Sequence, residues 1–154
     1  MAARGRPWLA AMAVVSVGAV GAALVSQHVY GMQPCPWCVL QRLIFLAIAA
    51  ACLVGLALPR LGAALAGLLA LSGVAAALWQ HFVAAGAASC DLTLADKLMA
   101  ASGLDGRWPE LFMATATCAE SKVDLVGLPY EFWSLGLFAL MALVALWVLT
   151  RRPR

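Results

Sequence analysis

Residues 33–52 read QPCPWCVLQRLIFLAIAAAC. A C-x-x-C pair, Cys35 and Cys38, opens a run that is otherwise suited to lipid, and one charge, Arg42, sits inside it. A helix needs about 20 apolar residues to cross a bilayer, and an ionisable residue within one marks a functional site by default. Two thiols and a guanidinium at the mouth of a membrane helix therefore decide both the fold and where its chemistry lies.

Three further stretches have the same character. The expected spans are residues 8–29, 39–58, 61–82 and 132–150 of the 154-residue chain, with a long loop over 83–131. The expectation is an all-α membrane protein: a single domain over 1–154, four transmembrane helices in a bundle, and a long outer loop carrying a short interfacial helix. Hydrophobic residues make up 65% of the chain and charged residues 11%, against roughly 45–50% and about 25% in soluble domains. The link Pro59-Arg60-Leu61 is so short that spans two and three form a tight hairpin. Thirteen glycines and many alanines suit close helix packing.

The charges are segregated. All seven acids lie between Asp91 and Glu131, while Arg4, Arg6, Arg60, Arg151, Arg152 and Arg154 flank the other ends of the spans. Basic residues near span ends mark the cytoplasmic side. Both termini are then cytoplasmic, and Cys35, Cys38 and the long loop face outward, into the periplasm of a Gram-negative cell. The first span has the start of a signal peptide, but it is long for one and lacks a clear small-x-small site, so it is expected to remain uncleaved. No basic cluster with interleaved aromatics supports nucleic-acid binding.

Five cysteines occur: Cys35, Cys38, Cys52, Cys90 and Cys118. Four face the oxidising side, where thiols form two disulfides by default. Cys52 lies fourteen residues after Cys38, about 21 Å deeper along a helix, and reads as a small buried apolar residue. Pro36 suits a first helical turn, which places Cys38 near a helix N-terminus that favours a thiolate. Arg42, four residues on, shares that helix face and adds to the effect, although from one turn inside the helix it can also snorkel to the headgroups. No haem, nucleotide or iron–sulfur motif is present to take electrons from a dithiol. A lipid-soluble quinone fits, with a carbonyl oxygen accepting hydrogen bonds from Arg42.

The loop holds two weakly amphipathic pieces, 92–101 and 108–114, with Pro109 placed to start a short helix. Trp108, Leu111 and Phe112 can rest on the membrane interface or pack on the loop's own core. A bridge between Cys90 and Cys118 closes nearly thirty residues. As an inert staple it stabilises by about 3–4 kcal/mol. The small residues before Cys90 suit an exchangeable disulfide better.

These pieces, taken in order, resemble the disulfide bond formation protein B (DsbB) family. The resemblance rests on QPCPWCVLQR, LWQH near the end of span three, Cys90, LFMATATCAE around Cys118, and DLVGLPYEFWSLGLF leading into span four. It covers nearly the whole chain on a matching four-span topology. It implies an enzyme of the bacterial inner membrane that re-oxidises a periplasmic thioredoxin-fold dithiol protein (DsbA-like) and passes the electrons to ubiquinone or menaquinone. That such a route keeps the periplasm oxidising is the established behaviour of the DsbA–DsbB system. The resemblance further implies that Cys90 forms the mixed disulfide, that Cys118 is its loop partner and attacks Cys35, and that Cys38 faces the quinone beside Arg42. It places a polar residue of the quinone pocket near His81, which reads equally well as an interfacial histidine with no role; Tyr130 and Trp133 can also wall the pocket, and an interfacial aromatic belt explains them equally well.

The sequence departs from the family in two places. Family members often carry a proline just before the span-four tryptophan, where this chain has Glu131, and the interval from His81 to Cys90 is short. Two other classes compete. Vitamin K epoxide reductase-like proteins also pair loop cysteines with a C-x-x-C, but there the loop pair comes first. A zinc protein needs tighter ligand spacing than Cys90 and Cys118 offer, and a protein with two inert disulfides would not exchange with a reduced partner.

Overall fold

The structure is a computed structural model that describes residues 5–86 and 93–150. Cys90, Arg4 and the basic tail at Arg151, Arg152 and Arg154 lie outside the described residues. Four helices are long and apolar enough to cross a membrane: α1 (Arg6–His28), α2 (Pro36–Ala57), α3 (Pro59–Phe82) and α7 (Tyr130–Thr150). They form the expected four-helix bundle, with each helix beginning two or three residues before the expected span.

Proline explains three of the early starts. It lacks an N–H that a first turn would leave unpaired anyway, and its φ is already helical. Pro7, Pro36 and Pro59 stand in the first turns of α1, α2 and α3. The hairpin link is therefore shorter than expected. Leu58 alone (φ −121°, ψ 77°) ends α2 and starts α3, and Arg60 belongs to the first turn of α3 rather than to a loop.

The helices pack in the order α1, α2, α3, α7, and the seam between α1 and α7 is loose. The buried face of α3 consists of Gly62, Ala63, Ala66, Ala70, Gly73, Ala76 and Ala77, closed at its outer end by Gln80. Without a hydrophobic drive between helices in lipid, such small residues gain dispersion contact by letting backbones approach. Across the bundle, Phe138 of α7 fits over Gly73 and stacks on Phe45 of α2, with ring centroids 4.0 Å apart and planes 13° apart. Cys52 is fully buried in this core, as its apolar reading expected.

The outer loop carries α4 (Leu94–Ser102), α5 (Leu104–Arg107) and α6 (Pro109–Phe112). A capping box starts α4: Thr93 Oγ1 accepts from the Asp96 N–H, and Asp96 accepts from the Thr93 N–H. Gly103, with φ of 64°, ends it. The interfacial reading of residues 108–112 is corrected in part. Phe112 is buried against Val39 and Met99, with Leu111 beside it, so both side chains dock the loop onto α2. Trp108 stays 55% exposed.

A two-strand hairpin that the all-α expectation lacked precedes α7. In it β1 (Asp124–Leu125) pairs with β2 (Leu128–Pro129). Its turn residues, Val126 and Gly127, have φ of 56° and 79°, the two positive values of a type I′ turn. The Tyr130 N–H donates to the Val123 carbonyl at 2.9 Å, and Trp133 Nε1 donates to the Leu125 carbonyl at 3.3 Å. The hairpin is thereby fixed to the start of α7.

Candidate functional site

Three sulfurs meet at the N-terminus of α2. Cys35 is the N-cap, and its Sγ accepts from the Cys38 N–H at 3.3 Å. The Cys35 and Cys38 sulfurs are 2.9 Å apart. Cys118 reaches Cys35 because the loop is tied to the segment before it: the Thr115 and Ala116 N–H groups both donate to the Pro34 carbonyl, at 3.0 and 3.3 Å. A hydrogen bond also joins the Thr115 hydroxyl to Gln33. The turn carrying Cys118 is closed by Glu120, which accepts from the Thr117 N–H at 2.9 Å and its hydroxyl at 2.8 Å. That N–H holds the exposed Glu120 carboxyl below its ordinary range. Sequence reading had given Glu120 no part beyond its place in the C-A-E motif.

Of the two disulfides expected by default, a bridge between Cys35 and Cys38 is not closed, and any bridge to Cys90 lies outside the described residues. Cys35, Cys38, Cys52 and Cys118 are free thiols. The sulfurs near Cys35 are grouped as exchange requires, with one acceptor between two possible partners. The hydrogen bond to Cys118, followed by burial, pushes the Cys35 thiol up to about 12, and the same hydrogen bond lowers Cys118. Cys118 is thus the readier thiolate of the two, and Cys35 the group that donates to it.

Arg42 lies 6% exposed, so it does not snorkel to the headgroups. Its Nη1 donates to Gln27 Oε1 at 2.7 Å and to the Leu111 carbonyl at 3.2 Å, and its Nη2 reaches the Ala23 carbonyl at 3.5 Å. One guanidinium thereby ties α1, α2 and α6 together. None of these three contacts of Arg42 goes to Cys38. The donor at the Cys38 sulfur is Gln80 Nε2 of α3, at 3.2 Å.

A cavity of about 280 Å³ opens beside these groups, between α1, α2 and α7. Cys38, Gln41, Arg42, Gln80 and Glu131 line its polar end, and Ala19, Val20, Phe45 and Leu137 are among its apolar residues. Tyr130 and Trp133 line it as well. His81 is not among the lining residues. Its Nδ1 lies 2.8 Å from Glu131 Oε1, so Glu131 stands between the ring and the cavity. Glu131 is buried. It supplies a carboxyl that holds His81.

The structure brings together Cys35, Cys38, Arg42 and Cys118, which the sequence singled out, and adds Gln27, Gln41, Gln80 and Glu131, to which it gave no site role. The missed residues had one weak signal, their polarity within apolar helices.

The family model described as Disulfide bond formation protein DsbB matches residues 5–148. Proteins named Disulfide bond formation protein B are similar over nearly their whole length. That of Herminiimonas arsenicoxydans is 36% identical over 146 residues, covering 92% of each chain. That of Dechloromonas aromatica is 30% identical over 158 residues, covering 97% of this chain and 94% of its own. That of Ralstonia nicotianae is 30% identical, covering 100% of this chain and 99% of its own. The match takes in the three gathered thiols, Arg42 and all four bundle helices, and the chain belongs to the DsbB family of disulfide bond formation proteins.

Proposed function

We propose that the whole chain, 1–154, works as one membrane domain that re-oxidises a periplasmic thioredoxin-fold dithiol protein and delivers the electrons to membrane quinone. In this reading both termini are cytoplasmic and the reacting cysteines lie on the periplasmic side of the bacterial inner membrane. The observation that carries it is the line of sulfurs Cys118, Cys35 and Cys38, ending at a cavity lined by Arg42.

The residues fit a quinone ring. Small-molecule sites span roughly 300–1,000 Å³, so a cavity of about 280 Å³ suits one substituted ring and not a whole isoprenoid molecule. The loose seam between α1 and α7 leaves a way out to lipid for a tail. Arg42 spends three of its five N–H donors on Gln27, Leu111 and Ala23, which leaves two for a carbonyl oxygen. Ubiquinone and menaquinone both present one.

The chain's own steps are thiol–disulfide exchange. The partner's thiolate attacks Cys90 of a Cys90–Cys118 disulfide, forming a mixed disulfide and releasing Cys118 as thiolate. The partner's second thiol, on losing its proton, attacks its own mixed-disulfide sulfur, leaves oxidised and frees Cys90. Cys118 attacks Cys35 of a Cys35–Cys38 disulfide and releases Cys38 as thiolate. Attack by Cys90 on Cys118 then restores the loop disulfide and frees Cys35. Each exchange moves one electron pair and breaks one S–S bond for each one formed. A bound quinone would supply the final acceptor for the two electrons and two protons that Cys35 and Cys38 lose as their disulfide re-forms. Gln80 holds Cys38, Arg42 would hold the ring oxygen, and the apolar wall would exclude water.

The test is a trap. With the oxidised wild-type chain, a reduced thioredoxin-fold partner whose second cysteine is replaced should attack the Cys90–Cys118 disulfide and accumulate as a covalent adduct at Cys90, seen on a non-reducing gel and mapped by mass spectrometry. Cys90→Ala should give none. An adduct with Cys90→Ala equal to that with the wild type would place the entry cysteine elsewhere and contradict the route.

A further inference from the structure

Gln80 and Gln41 were given no part by the sequence, and both are buried. Burying a primary amide costs free energy unless its donors and acceptor are satisfied. Here the two amides satisfy each other in one direction only. Gln41 Nε2 donates to Gln80 Oε1 at 2.7 Å, and Gln80 Nε2 donates to Cys38 Sγ at 3.2 Å. Polar glue between α2 and α3 would account for the first bond. It leaves unexplained why the second N–H is aimed at a sulfur.

We propose that Gln80 is a catalytic residue, whose amide N–H stabilises Cys38 as thiolate, and that Gln41 is the positioning residue that sets its orientation. This rests on the reading in which Cys38 is the last thiol of the relay. A thiolate only accepts hydrogen bonds, so a flipped Gln80 would turn its carbonyl oxygen on an anion. Donation from Gln41 into Oε1 prevents that flip. Gln80 thereby supplies a direct donor to Cys38, while three N–H groups of Arg42 are turned to Gln27, Leu111 and Ala23.

The ionisable groups around Cys38 are few. Arg42 lies on its own helix, Cys35 precedes it, and Cys118 approaches from the loop; Tyr130 and Glu131 face the same cavity from α7. From α3, His81 turns to Glu131. Gln80 is the only neutral donor to the sulfur from another helix among the described residues.

The experiment measures Cys38 without any quinone. The reduced full chain in detergent is alkylated with iodoacetamide across a pH series, and the Cys38 peptide is quantified by mass spectrometry. Hydrogen bonds to a charged group are the strong ones, so Gln80→Leu should move the alkylation midpoint up by about one pH unit, a roughly tenfold loss of thiolate below the midpoint. Gln80→Glu, which keeps the shape but puts a carboxylate at the sulfur, should move it further. Gln41→Leu should move it less, and in the same direction. Size exclusion shows whether each variant is folded, and the isosteric Gln80→Glu covers the case in which Gln80→Leu is not. Unchanged midpoints in folded Gln80 variants would overturn the proposal. A shift upholds it even if the wild-type chain reduces no quinone, and that failure would fall on the quinone reading alone.

Discussion

Gly62→Val is expected to prevent the α2–α3 hairpin from closing. A Cβ at Gly62 would meet the Gly55 backbone, 2.5 Å from its N, and would lie 2.7 Å from the Ala51 carbonyl oxygen. Those are backbone atoms with no rotamer to change, and Leu58 is the only link between the helices. Overpacking commonly costs about 1–3 kcal/mol, and a clash with backbone belongs at or above the top of that range. The expected result is a protein that aggregates or unfolds at a clearly lower Tm in detergent. Gly136→Ala is the control. Nothing lies within 4 Å of its added Cβ, and alanine is the better helix former by roughly 0.5–1 kcal/mol, so its Tm should be unchanged or higher. A wild-type Tm for Gly62→Val would mean that the hairpin is not packed this way.

Arg42→Leu should raise the KM for quinone by roughly 10- to 100-fold, which corresponds to about 1.5–3 kcal/mol for a hydrogen bond to a charged group. Arg42 is the one cation among the described residues lining the cavity. The change also leaves Gln27 Oε1 and the Leu111 carbonyl without their donor, so a modest fall in Tm should accompany it. Arg42→Lys keeps the charge but not the planar fork, and should fall between wild type and Arg42→Leu. Mixed-disulfide formation at Cys90 uses none of these contacts and should continue. A quinone titration in detergent gives the KM values. A wild-type KM in Arg42→Leu would remove the guanidinium from the quinone site.

The parts of this molecule that depend on one helix were legible in its sequence. The bundle follows from four apolar stretches of the right length, and Cys38 and Arg42 follow from a helical repeat of nearly four residues. The parts that depend on two helices were not. Gln41 meets Gln80 across thirty-nine residues, and no periodicity marks that pairing. Glu131 read as a departure from a family proline, and its meaning came only with His81 beside it. The hairpin before α7 was hidden because Val126 stands at a positive φ where asparagine or glycine would have announced the turn. Leu111 and Phe112 were apolar enough for the membrane interface, and only the position of the loop over α2 decided that they pack inward.

The most direct test of the account follows quinone absorbance while the purified chain, in detergent, receives a reduced periplasmic thioredoxin-fold dithiol protein. The wild type should consume quinone in step with oxidation of the dithiol, one molecule per disulfide formed. Cys38→Ala should consume none, while its Cys90 still forms the mixed disulfide. Quinone loss undiminished in a folded Cys38→Ala, or no loss with either ubiquinone or menaquinone in a folded wild type, would contradict the account.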